Sequence, residues 1–215
     1  MNSLPKREVQ KRQRARLVHA IARAVAERGY ADTAVSHILA HAGVSRAAFY
    51  ELFKDKDECF LYGYNRVSRA QIQSLAEAIA GAGSLPEQLA AGVTAYLQVL
   101  DLDHTMARAF VVEAEAASPA IRSAFSKVVD QIEGLIRDWF ERVRGAYPEV
   151  PASAELAFRA LRSGLTGTLI GMVKEGAPRL ANDANIVSTF VLATLGLYSW
   201  AKQAEGGDVP TGPPR

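Results

Sequence analysis

The residue types best suited to contact with a partner molecule lie in the run SRAAFYELFKDK, residues 45–56. We expect Ser45, Arg46, Ala47, Ala48 and Tyr50 to project outward near the start of a helix. Arg46 can pair with the O6 and N7 atoms of guanine, and the small Ala47 and Ala48 let the helix approach a base edge closely. The hydroxyl of Tyr50 can bond to phosphate, while Lys56 combines a cation with the free N–H groups of a helix start. This pattern favours contact with double-stranded DNA.

A helix-turn-helix is the element that must position these side chains. The apolar spacing of residues 35–42 predicts a short helix capped by Asp32 or Thr33, and Ser45 can cap a second helix. Gly43 can adopt the tight turn that joins the two helices. The small core between this pair and the first helix is predicted to contain Ile38, Val44, Phe49 and Leu52.

Charge is divided unevenly along the chain. Residues 1–56 contain 11 Lys or Arg and 5 Asp or Glu, a balance of +6. Residues 57–215 contain 14 and 18, a balance of −4. A basic segment joined to a mildly acidic one is typical of a nucleic-acid binder with a separate regulatory body. Charge alone fits a solvated basic helix equally well.

The periodicity of the whole chain predicts an all-α fold of about nine helices, because we find no strand alternation among its 215 residues. The single Cys59 cannot form an internal disulfide and fits a reducing cytoplasm. The longest apolar stretch, residues 186–201, is shorter than the roughly 20 residues that a membrane span needs. We therefore expect a cytoplasmic protein with no membrane partner.

The run GYADTAVSHILAHAGVSRAAFYELFKDKDECF resembles the tetracycline-repressor (TetR) family of bacterial transcription regulators. Its Gly-Tyr, Thr, Ala-Gly-Val-Ser, Phe-Tyr, Phe and Lys fall at the family's spacing. Ala34 replaces the usual second Thr or Ser, and Leu39 replaces a commoner Ala. The resemblance implies that the DNA-contacting positions are Thr33, Ser36, Ser45, Arg46, Tyr50 and Lys56.

Two domains and a tail follow from the resemblance and the helix pattern. Residues 1–56 are expected to form a three-helix DNA-binding head, and residues 57–205 a helical bundle for ligand binding and dimerisation. The Gly- and Pro-rich residues 206–215 are predicted to be disordered.

The last predicted helix, residues 184–203, is apolar nearly all round, which is more than packing on one core requires. Packing within the chain remains an alternative explanation. TetR-like proteins dimerise through their last two long helices, so the resemblance implies a homodimer matched to a palindromic operator. The predicted interface contains Gly167, Gly171, Phe190 and Leu197.

Glu113 interrupts an apolar stripe that contains Met106 and Phe110 on a helix predicted over residues 105–117. A carboxylate in such a position must be paired or must bind something polar. We consider an ion pair with Arg159 or Arg162, and alternatively contact with a ligand. The candidate pocket for a small, mostly apolar ligand is lined by Gln71, Tyr96, Met106, Phe110, Glu113 and Trp139.

Catalytic and metal-binding roles have little support in the sequence. His37 and His41 are four residues apart, a spacing that can ligate a metal, yet no carboxylate or Cys nearby completes a site. We therefore expect a surface or phosphate-facing pair rather than a metal site. No carboxylate pair stands at catalytic spacing. We expect neither an enzyme nor a bound cofactor.

The sequence therefore predicts a homodimeric transcription regulator, most simply a repressor released from its operator by a small molecule. An architectural DNA-binding protein without an inducer is the main alternative. A helical small-molecule carrier with a vestigial head is a further one.

Overall fold

A computed structural model describes residues 6–198 except 82, 149, 151, 153, 154, 177 and 178. The regular elements of these residues are all helical, which confirms the predicted all-α fold. The α-helices are α1 (Lys6–Arg28), α2 (Val35–Ala42), α3 (Arg46–Tyr50), α4 (Lys56–Ile79), α5 (Leu85–Asp101), α6 (His104–Ala107), α7 (Glu113–Ala116), α8 (Pro119–Ala146), α9 (Glu155–Glu175) and α10 (Ala184–Thr194). A π-helical segment (Arg108–Val112) joins α6 to α7, and a 3₁₀ turn (Leu180–Asp183) precedes α10. The tail at residues 206–215 lies outside the described residues.

The chain forms two compact units. Unit 1 comprises the chain up to Arg69 together with Asp103–Ser126, and unit 2 comprises Ala70–Leu102 together with the chain from Lys127 onward. The functional boundary that we place between residues 56 and 57 is a different kind of division, and it stays a prediction.

Unit 1 is built on the apolar stripe of α1. Leu17 and Ile21, four residues apart on one face of the helix, are fully buried. The ring of Phe60 on α4 meets the ring of Phe110 edge to face, with centroids 4.9 Å apart. Gly63 allows this close packing, because a Cβ at that position would lie 2.7 Å from the Phe110 ring. The segment around Phe110 thus shares a core with the first helices.

Unit 2 has its own core around Trp139. The Trp139 side chain is fully buried, and its indole N–H donates to the Leu85 carbonyl at 3.0 Å. The Asp101 carboxylate accepts hydrogen bonds from the N–H groups of Leu180 and Ala181 at 2.7 and 3.0 Å. These bonds fix the 3₁₀ turn against the end of α5.

Two helices differ from the sequence prediction. The last one ends at Thr194, because Gly196 adopts a left-handed conformation with φ +74° and Leu197 donates its N–H to the Leu192 carbonyl. The helix predicted over residues 105–117 contains the π-helical segment, so its side chains do not follow simple α-helical spacing.

Candidate nucleic-acid interface

The turn between α2 and α3 is centred on Gly43, as predicted. Gly43 has φ +59° and ψ +39°, and its N–H donates to the Leu39 carbonyl at 2.9 Å. The guanidinium of Arg16 on α1 donates to the carbonyls of Ala42 and Gly43, the latter at 3.2 Å. The left-handed conformation therefore suits a glycine, and α1 holds the turn from outside.

Ser45 caps α3, which also agrees with the sequence. Its backbone is extended, and its hydroxyl oxygen accepts a hydrogen bond from the Ala48 N–H at 3.1 Å. A serine in this position satisfies a backbone donor at the helix start that would otherwise lack a partner.

The inner face of α3 is anchored by Phe49. The Phe49 side chain is fully buried, its ring lies 5.9 Å from the Phe53 ring, and Ile38 of α2 is also fully buried. Leu52 is buried and Val44 is half-buried. This packing fixes the rotation of α3 about its axis and so decides which side chains face outward.

The outer edge of the pair consists of five exposed residues that the sequence predicts to contact DNA: Ser36, Ser45, Arg46, Ala47 and Tyr50. Tyr50 is 49% exposed although its ring meets Phe49 edge to face. No other described residue forms a hydrogen bond or ion pair with the Arg46 guanidinium. Arg46 and Ala47 thus offer a free cation beside a small side chain at the start of the helix.

Thr33 has a different position from the one its predicted role requires. Thr33 is 2% exposed and its hydroxyl donates to the Gly29 carbonyl at 2.7 Å. In this loop conformation its side chain is not accessible to DNA. It does not cap α2 either. The cap residue is Ala34, whose N–H donates to the His37 ring nitrogen Nδ1 at 3.2 Å.

His41 lies beside a carboxylate. Its Nε2 is 3.2 Å from the Glu27 carboxylate, and no group of three or more His, Cys, Asp or Glu in the described chain is arranged to hold a metal ion. A hydrogen bond from Arg23 lowers the pKa of the Glu27 carboxylate, and the nearby His41 ring lowers it further.

Lys56 also differs from its predicted use as a phosphate ligand. Its ammonium group donates to the carbonyls of Tyr30 and Thr33 at 2.9 and 2.8 Å, and it lies 4.4 Å from the centre of the Tyr30 ring. Tyr30 itself is buried, and burial together with the Asp57 carboxylate raises the pKa of its hydroxyl. The sequence contained no signal for this cluster, because its members are distant along the chain.

The predicted ligand residues other than Gln71 fall into two groups. Phe110, Glu113 and Trp139 are committed to packing or hydrogen bonding in the folded chain: Phe110 and Trp139 lie in the cores of their units, and the Glu113 carboxylate accepts from the Tyr30 N–H at 3.0 Å. Met106 and Tyr96 are half-buried. The arginines proposed for Glu113 are replaced by this backbone donor.

Arg162, one of those arginines, forms hydrogen bonds with Asp130 and Glu133 inside unit 2. Gln71 is the most unusual of the predicted ligand residues. It is 4% exposed, and its amide nitrogen has no hydrogen-bond partner among the described residues. A buried donor in this state costs about 1–3 kcal/mol unless something outside the described chain accepts from it.

Three of the four predicted dimer residues are accessible. A Cβ added at Gly167 or Gly171 would meet no atom within 4 Å, and Phe190 is 38% exposed with its ring against Gly164. Leu197 is 1% exposed in the core of unit 2, because the chain turns inward after Gly196. We therefore leave Leu197 out of the candidate interface.

No helix among the described residues combines the length and apolar character needed to cross a membrane.

Comparison with known proteins identifies the first part of the chain. Residues 17–63 match the family model of bacterial regulatory proteins, tetR family. No curated protein has a sequence that matches this chain.

Solved structures extend the likeness to the whole fold. The fatty acid degradation regulator FadR from Bacillus halodurans has a TM-score of 0.70 and 19% identity, over 83% of this chain and 97% of that chain. FadR from Bacillus subtilis, in complex with stearoyl-CoA, has a TM-score of 0.69 and 19% identity, over 84% and 98%. A TetR-like transcriptional regulator from Rhodococcus sp. RHA1 has a TM-score of 0.64 and 19% identity, over 90% and 99%. At these identities the structural likeness establishes the fold.

Proposed function

We propose that this chain, whose residues 17–63 match the TetR family, is a DNA-binding regulator that acts as a homodimeric repressor. The dimer binds a palindromic operator, and a small, mostly apolar ligand releases it. We assign recognition of the operator bases to the start of α3.

The observation that carries this proposal is the division of α3 into two faces. Phe49 is fully buried while Arg46 and Ala47 are exposed at the start of the helix. The N-terminal part of a recognition helix is the part that meets base edges in the major groove. A free guanidinium there can bond to guanine, and the Ala side chain leaves room for close approach. Ser36 and Tyr50, both exposed, are assigned to the phosphates.

The homodimer rests on the accessible faces of α9 and α10. Gly167 and Gly171 leave room for another helix to approach, and the apolar side chains of Ile186 and Phe190 are 69% and 38% exposed. Burying such a surface against a second copy is favourable. A two-fold dimer presents two recognition helices to half-sites one helical turn apart, about 34–36 Å.

The ligand is assigned to unit 2, where Gln71 is the polar anchor. Its buried amide nitrogen lacks an acceptor within the described chain, so a ligand oxygen would satisfy it. The FadR of Bacillus subtilis is in complex with stearoyl-CoA. This compound is larger and more charged than the ligand that the sequence predicts, but its acyl chain is apolar and its thioester carbonyl can accept a hydrogen bond from Gln71, so a long-chain acyl-CoA is the first compound to test. A ligand shifts the equilibrium only through its differential affinity for the two states, and a factor of 100 corresponds to about 2.7 kcal/mol.

Selection from a random double-stranded DNA library tests the DNA-binding part of the proposal. The purified full chain is used at about 150 mM salt, which screens loose electrostatic binding. We expect one palindrome to be enriched. Broad enrichment without a common sequence would favour the architectural alternative, and no enrichment at all would leave the carrier as the better description.

Dissociation of the protein from the selected operator DNA tests the class of the ligand and the role of Gln71. We expect stearoyl-CoA to dissociate the complex at lower concentration for the parent than for Gln71→Leu, since leucine cannot donate a hydrogen bond. Glu115→Gln, an exposed change on α7, is the control. Equal release of all three proteins would remove Gln71 from the site, and no release would exclude this ligand class.

A further inference from the structure

The loop of residues 29–34, between α1 and α2, is held by three side chains from later parts of the chain: Lys56, Asp57 and Glu113. We call these three residues the loop clasp. We infer that Lys56 supports DNA binding by ordering this loop, and with it α2 and α3, rather than by neutralising a phosphate. The inference rests on the proposed function, because it concerns how the same interface is held in place.

The ammonium group of Lys56 is already occupied by the loop. It donates to the Tyr30 and Thr33 carbonyls at 2.9 and 2.8 Å and lies 3.4 Å from the Ala31 carbonyl. A lysine has three donors, and all three have an acceptor here. The Tyr30 ring adds a cation–π contact at 4.4 Å. To reach a phosphate, the ammonium group would have to leave these carbonyls.

Asp57 and Glu113 fix the same residue that Lys56 holds. The Tyr30 hydroxyl donates to the Asp57 carboxylate, and the Tyr30 N–H donates to the Glu113 carboxylate at 3.0 Å. The Tyr30 ring also meets Phe60 edge to face at 5.2 Å. Tyr30 is thus bound at its backbone N–H, its backbone carbonyl, its ring and its hydroxyl.

The π-helical segment explains how Glu113 reaches the loop. Arg108 stands at its start and donates to the Ala26 carbonyl near the end of α1, at 3.3 Å, while Glu113 follows its end. In an α-helix the side chains that share a face are three or four residues apart. The i→i+5 bonding of a π-helix brings residues five apart onto one side, so both side chains meet the end of α1 and the loop after it.

The loop matters for recognition because it leads directly into α2. The cap residue Ala34 offers no side-chain hydrogen bond to the helix. The position of the first turn of α2 therefore depends on the conformation of the loop. The position of α2 in turn sets α3, since Ile38 and Phe49 are fully buried. A loosened loop should weaken binding to every sequence without removing a phosphate contact.

The salt dependence of operator affinity separates the two roles of Lys56. Each phosphate contact on duplex DNA contributes about 0.9 to the slope of log affinity against log salt. For Lys56→Met we expect a loss of affinity of about tenfold at every salt concentration, with the parent's slope. The control is Lys54→Met, which removes the same charge from an exposed neighbour whose nearest partner is Asp55, 3.9 Å away. A slope reduced by about one for Lys56→Met, or an unchanged affinity, would overturn the inference.

Hydrogen exchange of the loop amides gives a second reading that needs no DNA. In the free protein we expect residues 29–34 to exchange at least about tenfold faster in Lys56→Met than in the parent or in Lys54→Met, because local order is lost. Unchanged exchange would overturn the inference. If the parent shows no salt-dependent DNA binding, the proposed function fails by that result, and the exchange data still decide whether Lys56 orders the loop.

Glu113→Ala tests the loop clasp through a second residue, so that the inference does not depend on Lys56→Met alone. It removes the acceptor of the Tyr30 N–H without removing a cation, so it cannot lower the salt slope through a lost phosphate contact. We expect faster loop exchange and weaker operator binding at the parent's slope. Glu115→Ala, on an exposed position of α7, is its control. If Glu113→Ala has the loop exchange and the operator affinity of the parent, Glu113 does not help to order the loop and the loop clasp is contradicted.

Discussion

Phe49 and Arg46 lie on different faces of α3 and have different roles. Phe49 is fully buried and determines the orientation of the helix, whereas Arg46, three residues earlier, is exposed and has no partner among the described residues. The exposed group can therefore be changed without disturbing the packing. This separation allows base reading to be tested apart from folding.

Arg46→Ala tests base reading at the residue scale. We expect discrimination at one operator base pair to fall by about 1–3 kcal/mol, because the bidentate bonds to guanine are lost. Affinities for the operator and for each single-base variant are measured by fluorescence anisotropy. Arg28→Ala, which removes another exposed arginine at the end of α1, should retain the parent's discrimination. If Arg46→Ala is as selective as the parent, the base contacts lie elsewhere.

The sequence predicts single residues well where their role is local. Ser45 and Gly43 were identified from residue type and position, since a cap and a left-handed turn depend on a few adjacent residues. Lys56 and Glu113 were assigned to a phosphate and to a ligand or ion pair. Their actual partners are backbone atoms of the loop at residues 29–34, and no pattern in the sequence joins them.

At the scale of elements, the turn between α2 and α3 is the most restrictive feature of the head. Gly43 has φ +59°, and a Cβ there would lie 3.0 Å from a guanidinium nitrogen of Arg16. Some helix starts follow from capping residues in the sequence, such as Ser45 at α3 and Ser84 with Glu87 at α5. The π-helical segment and the early end of α10 do not, because packing rather than local preference decides them.

Gly43→Ala tests this turn. We expect the free energy of unfolding to fall by about 1–2 kcal/mol, because alanine is disfavoured in the left-handed conformation. Gly134→Ala is the matched control. Gly134 lies inside α8 with no atom within 4 Å of an added Cβ, so alanine should raise stability by about 0.5–1 kcal/mol. Urea denaturation measures both, and a Gly43→Ala variant as stable as the parent would show that the turn does not require glycine.

At the scale of the whole molecule, we propose that one chain combines a DNA-reading head with a body that dimerises and binds a ligand. The fold of the whole chain matches those of FadR from Bacillus halodurans and a TetR-like regulator from Rhodococcus sp. RHA1, with TM-scores of 0.70 and 0.64. Sequence patterns predict the helices of the body, but a ligand site or a partner surface would depend on side chains far apart in the chain. Gln71 and the open side of Gly167 and Gly171 are the features of the body that most favour a ligand and a second copy.

The most direct test of a dimeric sequence reader is the affinity for the selected palindrome compared with the same DNA after one half-site is scrambled. Both are measured with the full chain at about 150 mM salt. Because linked binding sites act together, we expect the scrambled half-site to lower affinity by about 100-fold or more. Equal affinity for the two DNAs would contradict the account, because two recognition helices reading a palindrome must lose one of their two contacts.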